Sequence, residues 1–70
     1  MTQCERILRH MKEFGSITSL EAMQWYGCYR LASRISDLRK DGVAIRKRTV
    51  KGKNKYGETI HFAEYRLMED

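Results

Sequence analysis

Arg30-Leu31-Ala32-Ser33-Arg34-Ile35-Ser36-Asp37-Leu38-Arg39-Lys40-Asp41-Gly42-Val43-Ala44-Ile45 decides the fold. Leu31, Ile35 and Leu38 recur at i, i+4 and i+7, the narrow apolar stripe of a helix with one buried side. The spacing predicts a helix over about Tyr29 to Asp41, closed by Gly42. No Ser, Thr, Asp or Asn precedes it as a cap, so only the stripe fixes its start. After Gly42 the period changes, and Val43-Ala44-Ile45 opens a β-type segment. Opposite the stripe lie Arg30, Ser33, Ser36, Asp37 and Lys40, with Arg34 on the flank. That outer face combines long cations with small hydroxyl side chains and has few apolar groups.

Two further helices are expected on the N-terminal side. Cys4, Ile7, Leu8, Met11 and Phe14 share one face of a helix over about Gln3 to Phe14. Thr2 and Glu5 read as its capping box, Glu5, Arg9 and Glu13 as a ladder of i, i+4 pairs, and Gly15 as its terminator. A second helix is expected over Ser19 to Tyr26, with the box repeated by Thr18 and Glu21 and a staple between Ile17 and Ala22. Leu20 and Met23 are expected to point inward, and Gly27 to end the helix. Residues 16–18 have the character of a very short third strand.

On the C-terminal side, Val43–Val50 and Thr59–Leu67 are rich in β-branched and aromatic residues. Lys51 to Glu58 between them is dense in Gly, Asn and Lys. A hairpin over about 43–67 with a long basic tip follows. Ala63, Tyr65 and Leu67 alternate onto the core face with Ile45. Ile60 and Phe62 fall on the other face, either exposed there or returned to the core by a bulge.

Charge points to a class of partner. The 70 residues carry 14 Lys and Arg against 9 Asp and Glu, a net +5, and eight of the basic residues lie between Arg39 and Lys55. A local basic surface of this kind attracts a polyanion; the competing reading is a solvated face that only keeps the chain soluble. The length suffices for one domain over residues 1–70 with a thin core, which keeps homodimerisation open. No apolar run approaches a membrane span. The amphipathic, mixed-charge start is unlike a signal peptide, so a cytoplasmic protein is expected.

Several chemistries find little support. No phosphate loop, HExxH, GxSxG or paired-carboxylate motif is present, so neither catalysis, a cofactor nor a small-molecule ligand is expected. Cys4, His10, Cys28 and His61 are conceivable zinc ligands. Their spacing fits no finger, and the two cysteines read better as reduced, near-core thiols.

Helix, helix, glycine turn, helix and basic hairpin is the order of an α+β winged helix-turn-helix. In that arrangement the third helix suits the major groove of duplex DNA, and the hairpin extends the basic surface along the phosphates. The N-terminal half of the third helix favours Arg30, Ser33 and Arg34 for base contact. The alternative for Arg34 is a pair with Asp37, and Asp37 either orients an arginine or accepts from cytosine. Ser36 and Lys40 complete the helix face. On the wing, Arg46, Arg48, Lys51, Lys53, Asn54 and Lys55 are the candidates, with Arg46 and Arg48 on one strand face and Lys47 on the other.

Gly15-Ser16-Ile17-Thr18-Ser19-Leu20-Glu21-Ala22, Arg30-Leu31-Ala32-Ser33-Arg34-Ile35-Ser36-Asp37-Leu38 and Tyr65-Arg66-Leu67 resemble runs of short phage and prophage winged helix-turn-helix proteins. The likeness covers about residues 2–67. It implies the winged fold and DNA binding in a bacterial host, at the nucleoid, as in a transcriptional regulator. An excisionase-like DNA-bending protein is the architectural alternative. The chain departs from the twenty-residue repressor-type motif, because Met23 stands where a small residue precedes the turn glycine by four. Repressor-style contacts therefore do not transfer by count. Trp25 and Tyr29, off the apolar stripes, mark a possible partner surface, as in a winged-helix protein-interaction module.

Overall fold

The computed structural model describes residues 2–68. The elements are α1 (Gln3–Phe14), β1 (Ser16–Thr18), α2 (Ser19–Tyr26), α3 (Leu31–Lys40), β2 (Ile45–Lys53) and β3 (Thr59–Leu67). The strands form one antiparallel sheet in the order β1-β3-β2.

Local chemistry accounts for the helix ends. The Thr18 hydroxyl accepts from the Glu21 backbone N–H at 3.1 Å, and the Thr18 N–H donates to the Glu21 carboxylate at 2.9 Å, a complete capping box. At α1 only half of the box forms. Thr2 Oγ1 accepts from the Glu5 N–H at 3.1 Å, while the Glu5 carboxylate takes the Thr2 hydroxyl at 3.2 Å. The start of α3 lies two residues later than the apolar stripe suggested. Arg30 is its N-cap and makes no side-chain capping bond. Tyr29, left in the turn, is 83% exposed. Without a capping side chain, helicity begins only where Leu31 is anchored in the core.

The core joins Ile7 and Met11 of α1, Leu31, Ile35 and Leu38 of α3, and Ile17, Ile45 and Tyr65 of the three strands. In α2 the buried residue is Ala22, whereas Met23 is 38% exposed. This corrects the inward placement of Met23: Ala22, with Tyr26 one turn on, forms the side of α2 that meets the core. The Glu5–Arg9–Glu13 ladder also does not form, since among the described residues Arg9 has no carboxylate within 4 Å.

The α3-to-sheet joint is tightly hydrogen-bonded. Val43 N–H donates to Leu38 O, Arg39 Nη2 to Ile45 O and Met68 N–H to Ala44 O, each at 3.0 Å. These bonds fix the base of the hairpin against the end of α3.

The hairpin register runs unbroken from Ile45 opposite Leu67 to Lys53 opposite Thr59. Hence no bulge returns Ile60 and Phe62 to the core. They stay on the outer face with Val50, and the Phe62 ring lies over Gly52, where an added Cβ would stand 2.9 Å from Phe62 Cε1. The glycine leaves room for that ring, much as aromatic side chains elsewhere cover strand glycines. The hairpin loop is shorter than its composition suggested: Lys51 and Lys53 belong to β2, and residues 54–58 make the turn.

Candidate nucleic-acid interface

A nine-residue strand is about 30 Å long, twice the length of a ten-residue helix, so the far half of the β2–β3 hairpin projects beyond the helices. Side-chain alternation then sorts its charges onto two faces. Ile45, Lys47, Thr49, Lys51 and Lys53 point to the side on which the helices pack, and Arg46, Arg48, Val50 and Gly52 to the other.

The two faces differ electrostatically. On the helical side Lys47, Lys51 and Lys53 are exposed. Among the described residues none of them has a carboxylate within 4 Å. On the outer side Arg48 donates to Glu64 at 2.7 Å, and Arg66 lies 3.7 Å from the same carboxylate. Arg46 stands directly opposite Arg66. One carboxylate, Glu64, thus offsets part of the charge of three outer-face arginines, whereas among the described residues the helical-side lysines have no carboxylate beside them.

The tip is built by Asn54. Its side-chain oxygen accepts from the Tyr56 N–H at 2.9 Å and the Glu58 N–H at 3.1 Å, and its Nδ2 donates to Glu58 at 3.3 Å. With both ends of its amide engaged, Asn54 shapes the turn. Lys55 and the exposed Tyr56 form the outermost point.

On α3 the outward side is narrower and shifted compared with the wheel drawn from sequence. Ala32, Ser33, Ser36, Arg39 and Lys40 are exposed, as is Arg30 just before the helix. Arg34 and Asp37 are half-buried and paired at 3.3 Å. They lean toward α1, where Cys4 Sγ lies 3.9 Å from Arg34 O and 4.0 Å from Asp37 Oδ2. The cause is tertiary: α1 packs along one flank of α3 and claims the side chains there. Arg39, beside Ala32 on the wheel, joins the exposed side while bonding Ile45 O. Its signal in the sequence was position alone.

Trp25 and Tyr29 are on different elements. Trp25 sits on α2 against Phe14 and His10, whereas Tyr29 is in the turn before α3. Nor do Cys4, His10, Cys28 and His61 assemble: among the described residues no group of three or more His, Cys, Asp or Glu is placed to hold a metal. No helix among them is long and apolar enough to cross a membrane.

Three helices, a β1-β3-β2 sheet and a projecting basic hairpin define a winged helix-turn-helix. A family described as the winged helix-turn-helix domain matches residues 2–70, and the chain belongs to it. Domains of this kind are typically non-enzymatic modules that bind DNA. No curated protein and no solved structure matches the chain.

Proposed function

We propose that this chain binds duplex DNA with α3 in the major groove and the helical side of the wing on the flanking phosphates. One observation carries the reading. α3 and the uncompensated lysines of β2 lie on the same side of the sheet. Ala32, Ser33 and Ser36 keep the middle of the exposed arc of α3 small, so the helix can approach base edges closely. Arg30 and Lys40 stand at its two ends, suited to guanine or phosphate. Lys47, Lys51, Lys53 and Lys55 then supply sequence-independent phosphate contacts.

Arg34 enters only by exchanging Asp37 for a phosphate or a base. The pair lies at the surface with both side chains still reaching solvent, and surface pairs are worth about 0–1 kcal/mol, so the exchange is inexpensive. Asp37 in turn holds Arg34 in place before binding.

The setting that fits this reading is a phage or prophage regulator of transcription acting in the bacterial cytoplasm. Selection of bound sequences from a random duplex pool tests it. An enriched motif that Ser36→Glu abolishes would support α3 as the reading element. Equal retention of all sequences would reduce the role to non-specific coating. Failure to retain any duplex at low salt would remove the DNA reading altogether.

A further inference from the structure

The side of the molecule formed by α1 and α2 carries an unexplained aromatic surface. Phe14 is 54% and Trp25 55% exposed. Trp25 stands edge-on to Phe14, with ring centres 5.4 Å apart, and to His10, with centres 4.9 Å apart. His10 is only 1% exposed, and its Nδ1 lies 2.8 Å from the Tyr26 hydroxyl. The buried imidazole and Tyr26 thus brace the indole from beneath. A rigid, half-exposed tryptophan of this kind is the usual anchor of a protein interface.

A shallow groove runs beside it, lined by Arg6, Arg9, Glu13, Phe14, Trp25 and Tyr26. Among the described residues, none of Arg6, Arg9 and Glu13 has an ion-pair partner within 4 Å. At about 100° per residue these three lie roughly 150° around α1 from Cys4 and Leu8, the side that meets α3. The groove therefore faces away from the proposed DNA surface.

We infer that this face binds a second copy of the chain, with the two α1 helices crossing antiparallel about a two-fold axis near Arg9. The charges choose this occupant. Arg6 and Glu13 are seven residues apart on one line, about 10 Å along the helix. A two-fold axis midway between them sets each Arg6 against the second copy's Glu13, and the contact occurs twice. Each Arg6 also comes to the end of α1 where Phe14 meets Trp25 of α2, and a guanidinium there can stack on the indole face. A parallel arrangement would oppose like charges at both positions. An acidic peptide would satisfy the arginines but meet Glu13 as a like charge. A copy of the same strip offers Arg6 and Glu13 partners of opposite sign, which outnumber the one like-charge approach of the two Arg9 side chains at the axis, and a domain this small gains core area by pairing.

The test is sedimentation of the full chain without DNA, from micromolar to submillimolar concentration. The expected result is a monomer–dimer equilibrium, with the emission of Trp25, the sole tryptophan, shifting to the blue as dimer forms. Arg6→Glu and Glu13→Arg should each weaken dimerisation about tenfold or more, since each introduces two like-charge contacts. The double variant should restore it. Both positions are exposed, so circular dichroism should show the fold intact. Trp25→Ala should abolish the dimer while leaving duplex affinity per monomer unchanged, which separates this proposal from the DNA reading. A chain that stays monomeric throughout, or a dimer indifferent to the single charge reversals, overturns the inference. Failure of the double variant to recover overturns the antiparallel pairing.

Discussion

The two faces of the β2–β3 hairpin are drawn from alternating residues of the same strands, yet they are organised differently. The helical side carries Ile45, Tyr65 and Leu67 at its base and free lysines beyond them. The outer side carries an internal ion-pair group around Glu64 and then Val50, Gly52, Ile60 and Phe62. One face is anchored by the core and offers charge. The other holds part of its charge in a pair with Glu64 and carries an apolar cluster of its own. A wing far from the helices has no core to fix its register, so the outer apolar cluster takes over that role.

The largest effect is expected from aromatics on opposite faces of β3. Tyr65 is buried at the base of the sheet, so Tyr65→Ala should cost about 3–5 kcal/mol and remove the cooperative thermal transition. Phe62→Ala, three residues away, should cost only about 1–2 kcal/mol, because that ring is half exposed and covers one glycine. Thermal melts followed by circular dichroism check both, and equal losses would break the comparison.

The sequence showed the helical layer clearly and the wing poorly, for physical reasons. The stripes of α1 and α3 and the Thr18–Glu21 box are local signals, read within one or two turns. The start of α3 was less legible, since nothing caps it and only the contact of Leu31 sets it. The half-burial of Arg34 and Asp37 depends on α1 packing beside them, which no wheel of α3 alone contains. His10 was hidden by its polarity; its place in the core depends on Tyr26 from another helix. The hairpin strands and core alternation were visible, but Ile60 and Phe62 were ambiguous because two apolar faces compete on one strand. Gly52 held the clue, as a strand glycine often marks a close approach.

Gly52 sharpens the comparison further. Gly52→Ala should push the Phe62 ring aside and lower stability by about 1 kcal/mol. In the Phe62→Ala background the same change should be neutral or slightly stabilising, because the space is vacated and alanine restricts the unfolded chain more than glycine. A double-mutant cycle of melting curves measures the coupling, and additivity would contradict the packing described. The smallest effect is expected at Arg48. Its pair with Glu64 is largely exposed on the arginine side, so Arg48→Ala should change stability by less than about 1 kcal/mol.

Duplex affinity measured across a range of salt concentrations tests the central claim most directly. Three proteins suffice: the unaltered chain and the variants Lys47→Ala/Lys51→Ala/Lys53→Ala and Arg46→Ala/Arg48→Ala. Each phosphate contact contributes about 0.9 to the slope of log affinity against log salt. The triple lysine variant should lose between two and three of that slope and bind at least about tenfold more weakly, while the arginine pair changes it by less than one. Equal slopes for the two variants, or a larger loss from the arginine pair, would contradict the assignment of the helical side of the wing to DNA.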